Sequence, residues 1–268
     1  MIEAIINYEF MQNALISILL ASIVCGIIGT IVVEKKLVMM SGGIAHASFG
    51  GIGLGFLLGF EPIIGGLAFA IISSISIVTI KRRTNTASDT IIAILWSLGM
   101  ALGILFLALT PGYEPDMTTY LFGDILTVSK VDIYLMLILT AIILLSSLAL
   151  FNYIKSYLFD EPFLHSKGVN TLLLEYFLFI LIALSIVILI KVVGIILVIT
   201  LLTVPPAISK LLTYNFNMIV FLSSIIGIIL CFLGLVFSYY FNIPSGATII
   251  IISSICYFIT ALIKHKTN

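Results

Sequence analysis

Charged residues cut this sequence into apolar runs of similar length, and that spacing restricts the fold more than any other feature. Charge-free stretches lie at 10–33, 37–60, 62–80, 90–113, 133–154, 176–190 and 192–209, with a longer one at 211–263. A helix rises about 1.5 Å per residue and a bilayer core is about 30 Å thick, so about 20 apolar residues cross it. The last run is long enough to cross twice, and Asn242, Pro244, Ser245 and Gly246 mark a turn inside it. The expected fold class is all-α: a polytopic integral membrane helical bundle of about nine transmembrane helices, forming one transmembrane domain over 1–268. The pair at 176–190 and 192–209 requires Lys191-Val192-Val193-Gly194 to form a tight turn; without it the count is eight.

Composition supports this and removes other classes. Only 9% of the 268 residues are charged and 62% are hydrophobic, against roughly 25% charged in a soluble domain, so a water-facing surface cannot be built. The mean hydropathy is +1.32. Twelve basic and twelve acidic residues cancel, leaving no basic excess for nucleic acid, which is not an expected partner. Cys25, Cys231 and Cys256 sit inside apolar runs without CxxC spacing and read as small core residues. Glu3 and Glu9 precede the first apolar run without a Lys or Arg, so the positive flank of a cleavable signal peptide is missing and Met1 is expected to stay. Alternating nine spans puts ten of the twelve basic residues on one side, leaving Lys130 and Lys191 opposite with Glu3, Glu9, Glu61, Glu114, Asp116, Asp124 and Asp132. The positive-inside rule then places the amino end outside and the carboxyl end in the cytosol of a multi-pass cell-membrane protein.

Few residues can carry chemistry. His46 is the only histidine in a span, ten residues beyond Lys36 and hence about 15 Å deep, near the midplane. Intramembrane ionisable groups are costly and mark functional sites; the plainer alternative is a neutral imidazole bonded to a neighbouring helix. Ser41, Gly42, Gly43 and Ser48 surround it in sequence. Glycines permit close approach and hydroxyls offer oxygen ligands, so a transition-metal path is chemically sensible. The stretch Phe159-Asp160-Glu161-Pro162-Phe163-Leu164-His165-Ser166-Lys167-Gly168 reads as a short helix outside the membrane, with Asp160 as N-cap, Pro162 in the first turn and Gly168 ending it. So short a helix is marginal alone in water, which suggests a docking partner; the alternative is a solvated connector. The acidic side at Glu114, Asp116 and Asp124 reads as the plain complement of the basic side, the alternative being a surface that attracts cations or meets a basic partner. Lys191 is expected to snorkel. Pro205-Pro206 should kink the seventh span. Gly99 and Gly103, four apart, and the glycines at 42, 43, 50, 51, 53, 55 and 59 favour close helix contact. No phosphate loop, H-E-x-x-H or G-x-S-x-G occurs, so catalysis has no candidate.

Seven segments, in order along the chain, resemble one family: the membrane permeases of ATP-binding-cassette importers for zinc, manganese and iron. Ser41-Gly42-Gly43-Ile44-Ala45-His46-Ala47-Ser48 resembles its S-D-A-I-S-H-A segment, and Asp89-Thr90-Ile91-Ile92-Ala93-Ile94-Leu95-Trp96-Ser97-Leu98-Gly99 its D-T-A-I-G-I-L-F-S-L-G. Tyr120-Leu121-Phe122-Gly123-Asp124-Ile125-Leu126 matches Y-L-F-G-D-I-L, and Phe159-Asp160-Glu161-Pro162-Phe163 is similar to F-D-P-E-F with Pro and Glu exchanged. Lys191-Val192-Val193-Gly194, Val204-Pro205-Pro206-Ala207 and Ile243-Pro244-Ser245-Gly246-Ala247-Thr248 resemble K-V-V-G, I-P-A-A and L-P-T-G-A-T.

The resemblance implies a non-enzymatic permease, used as a homodimer with a cytosolic ATPase and an extracytoplasmic metal-binding protein. It would move a divalent ion as substrate, zinc first and manganese or iron next, with no permanently bound cofactor. It implies that His46 is the metal-coordinating histidine, that Ser41, Gly42 and Ser48 lie along the path, and that Phe159, Asp160, Glu161, Pro162, Phe163 and Gly168 seat in the ATPase. One departure stands out: the family's acidic partner four residues before the histidine is Gly42 here. A permease for chelated metal, such as a siderophore or cobalamin, is the alternative; a membrane-embedded enzyme and a passive channel are more distant ones.

Overall fold

The structure is a computed structural model that describes residues 7–84, 86–111, 123 and 125–267. Glu3, Glu114, Asp116, Asp124 and residues 120–122 lie outside the described residues, as does the side chain of Lys266. The described regular structure is helical throughout. In chain order it comprises α1 (Glu9–Glu34), α2 (Val38–Leu58), α3 (Pro62–Thr84), α4 (Ser88–Ala108), α5 (Lys130–Ala149), α6 (Phe151–Phe159), α7 (Glu161–Ser166), α8 (Thr171–Val193), α9 (Ile195–Leu212), α10 (Phe216–Phe241) and α11 (Ser245–Thr267). All but α6 and α7 are long and apolar enough to cross a membrane, which makes nine candidate spans among the described residues. Lipid offers no hydrogen bonds, so each apolar run must satisfy its backbone internally, and a helix does this.

Three local features depart from the reading of charges as span limits. The run at 133–154 breaks at Leu150, so α5 ends at Ala149 and α6 is separate. The sixth span begins before Glu175 rather than after it, because α8 starts at Thr171 and takes the carboxylate inside. The turn after Lys191 is shorter than expected: α8 continues through Val193 and only Gly194, at φ +80°, separates it from α9. That left-handed value favours glycine. The expected turn at 242–246 is present, with Asn242 at φ +52° closing α10 and α11 starting at Ser245.

The helices sort into two compact units. One contains 1–35, 118–148 and 189–268. There α1 packs on α9 and α10. Pro205 and Pro206 both lie inside α9, which stays helical to Leu212. Pro206 has no N–H to give the Leu202 carbonyl one turn back; that oxygen instead faces Gly29 of α1, where a Cβ would lie 2.5 Å away. Buried hydroxyls of Ser223 and Ser209 bond each other at 3.1 Å. Ser129 caps α5, its hydroxyl donating to Asp132 Oδ2 at 2.6 Å while the Asp132 N–H returns to Ser129 Oγ at 3.3 Å. Lys191 does not simply snorkel: its ammonium pairs with Asp132 Oδ1 at 3.1 Å.

The other unit contains 36–117 and 149–188, with α2 as its centre. α2 crosses α3 and α4 closely, with backbone against backbone at several glycines. Gly51 meets the backbone of Gly65 on α3, and Gly99 of α4 meets that of Ala47. A Cβ on Gly53 would lie 2.7 Å from the Gly103 carbonyl oxygen. The order of these contacts along both chains makes α2 and α4 parallel. Small residues at such crossings let helices associate in lipid, where apolar burial gives no advantage.

Candidate functional site

His46 is the ninth of the 21 residues of α2. Along α4, Ile92, Trp96, Gly99 and Gly103 recur at spacings of four, three and four, which is one helix face. Ile92 meets Gly43, and Gly99 and Gly103 meet Ala47 and Phe49. Trp96 fills the step between them, and its indole stacks on the His46 imidazole with ring centroids 4.3 Å apart and planes 8° from parallel. The stack fixes the ring's plane. Nδ1 of His46 is buried and has no hydrogen-bond partner among the described residues. A neutral imidazole nitrogen left without a partner has the chemistry to ligate a divalent ion.

The rest of the expected metal environment is not assembled around it. Ser41 and Ser48 are both buried, but 3.6 residues per turn puts them about 140–160° around α2 from His46. Their hydroxyls donate to their own helix, to Val38 O at 2.8 Å and Ala45 O at 2.6 Å. The fold therefore does not bring these two oxygens to the imidazole. Gly42 does share the His46 face, one turn earlier, and brings no side chain. Among the described residues no three His, Cys, Asp or Glu side chains converge as a metal site.

A second polar centre lies at the end of α3 that carries Lys81, Arg82 and Arg83. Glu175 of α8 is fully buried. It receives Lys81 Nζ at 3.3 Å, Arg82 Nε at 2.7 Å and an Arg82 terminal nitrogen at 2.5 Å. The same guanidinium donates to Glu161 Oε1, at the start of α7, at 2.6 Å. Burial, and then the negative charge of Glu175 and Glu161, hold the Tyr157 phenol well above its ordinary pKa. Asp160 caps α7, accepting the Phe163 N–H at 2.9 Å. Pro162 lies in its first turn and Gly168 takes φ +78° after its end, as the composition of the segment implies. Leu164 is buried, whereas Phe159 and Phe163 are 61% and 48% exposed.

Trp96 and the Lys81–Arg82–Glu175 cluster escaped the sequence reading. For Trp96 a signal existed: it is the single tryptophan of the chain and shares a face with Gly99 and Gly103. Glu175 offered none, because a charge at the end of an apolar run reads equally well as a boundary.

A family model described as the ABC 3 transport family matches residues 7–264. The chain belongs to the ABC 3 transport family. Membership makes it a multi-pass membrane transport protein rather than an enzyme. An uncharacterised membrane protein of Synechocystis is 39% identical over 99% of this chain and 95% of its own. The manganese transport system membrane protein MntC of Listeria monocytogenes is 34% identical over 99% and 94%. Among solved structures, PsaBC from Streptococcus pneumoniae in complex with Fab superposes with a TM-score of 0.86 at 31% identity, covering 97% of this chain and 93% of that one. This ABC 3 chain thus matches the relatives named here over 97–99% of its length.

Proposed function

We propose that this chain, as one permease domain, carries divalent metal ions into the cell as part of an ATP-driven importer. It would work as a pair of copies with a cytosolic ATP-binding-cassette ATPase and an extracytoplasmic metal-binding protein. The observation that carries this reading is the end-to-end relation to a named manganese transport membrane protein. Manganese leads for that reason, ahead of the zinc that the sequence resemblance puts first.

His46 supports the reading. One open imidazole nitrogen on a fixed ring suits a first-row divalent ion. A single imidazole holds such an ion loosely, as a carrier that must release its cargo requires. With glycine at 42, the remaining ligands come from the second copy, from backbone oxygen or from retained water. The sequence has no phosphate loop, so hydrolysis belongs to a separate subunit, and α7 with Phe159 and Phe163 is the surface offered to it. The basic ends of the spans face the cytosol, with the amino end outside.

Reconstitution tests this. Proteoliposomes holding the chain, its ATPase and its binding protein, offered manganese, zinc and iron together, are expected to accumulate manganese only with ATP. Ion movement without ATP, or uptake of chelated metal alone, rejects it.

A further inference from the structure

We infer that Arg82 is a positioning residue that ties α7 to the membrane helices, so that displacement of α7 by the ATPase reaches α2 and His46. This rests on the reading of α7 as the ATPase-facing element.

The inference starts from what Glu175 needs. A buried carboxylate must be paired, and Lys81 together with Nε and one terminal nitrogen of Arg82 already do this. The further bond from Arg82 to Glu161 is not required for that purpose. A guanidinium is a planar, rigid fork that can hold two carboxylates in fixed directions, which a lysine ammonium cannot. Here it holds one carboxylate from α8 and one from the first residue of α7. A helix of six residues has little hold on its own orientation, so its direction is set by the Asp160 cap, the buried Leu164 and Arg82.

The two carboxylates on the guanidinium, which share one of its terminal nitrogens, have unequal surroundings. The Glu175 side chain is 1% exposed and Glu161 is 29% exposed. Glu161 and Arg82 also border a polar cavity of about 520 Å³, with Lys81, Thr86, Ala87 and Ser88 on its other walls. Water therefore reaches Glu161, whose bond to Arg82 is the more readily exchanged of the two, while Glu175 stays shielded. α3 carries the displacement onward. Gly65 of α3 and Gly51 of α2 touch backbone to backbone, with no side chain to yield between them, so α3 cannot press toward α2 without displacing it five residues from His46.

The test is the number of ions accumulated per ATP hydrolysed in proteoliposomes, for the wild-type complex, Glu161→Gln and Arg82→Lys. Glu161→Gln leaves every partner of Glu175 in place, so its melting temperature should match wild type. In both variants the ratio is expected to fall by about fivefold or more, the low end of coupling between linked sites. A ratio at the wild-type value in Glu161→Gln overturns the inference, even if both rates drop together, because a merely structural role lowers both in step. Absence of ATP-dependent accumulation by the wild-type complex overturns the functional reading and this inference with it; a wild-type complex that accumulates metal alongside an unaltered variant ratio overturns the inference alone.

Discussion

Glu175 and His46 are both ionisable groups within apolar helices of the same unit, and the fold treats them in opposite ways. Glu175 has two cations, a hydrogen bond from each and a further close contact with the guanidinium. His46 has a stacked indole and a buried nitrogen with nothing to bond among the described residues. A buried group that is fully satisfied contributes to architecture, since removing any partner leaves a charge stranded. One that is held in place but left unsatisfied is what the proposed metal path through His46 requires.

Substitutions can break this contrast. The largest stability loss is expected for Glu175→Ala, which strands Lys81 and Arg82. The cost should be about 3 kcal/mol, the low end for a broken buried pair because both cationic heads reach water, read by chemical unfolding in micelles. Gly53→Ala should cost about 2 kcal/mol, since its new Cβ meets the Gly103 carbonyl and the α2–α4 crossing must open; Trp96 emission should shift as the stack separates. His46→Ala should cost only about 1 kcal/mol, the worth of a stacked aromatic pair, yet abolish ATP-dependent metal accumulation. As Trp96 is the only tryptophan, manganese added to the wild type should quench its emission and should leave the His46→Ala emission unchanged. Equal quenching in both proteins would remove His46 from the metal path.

Much of this was legible in the residues because bilayer thickness converts run length directly into spans. The nine candidate spans among the described residues, the Asn242 turn and the cap of Asp160 on α7 are local consequences of apolarity and turn chemistry. Contacts between helices are not local. Ser41 and Ser48 stand close to His46 in sequence and on another face in space, which 3.6-fold periodicity already indicates once the helix is taken as regular. Glu175 was read as a limit because a charge in an apolar run gives no sign of Lys81 and Arg82, more than ninety positions away. The same holds for Lys191, whose partner Asp132 is on another helix.

The bare crossing of α2 with α4 has one more consequence. Interlocked leucines would make each helix a rack that the other must climb, with every step paid in rotamer changes. Glycine against backbone has no rotamers to freeze and no teeth to disengage, while dispersion and Cα–H···O contacts still hold the surfaces together. The segment bearing His46 is thus seated closely on a surface that offers little resistance to small sliding or rolling at Gly99 and Gly53, leaving the His46–Trp96 stack as a side-chain contact that must give when it moves.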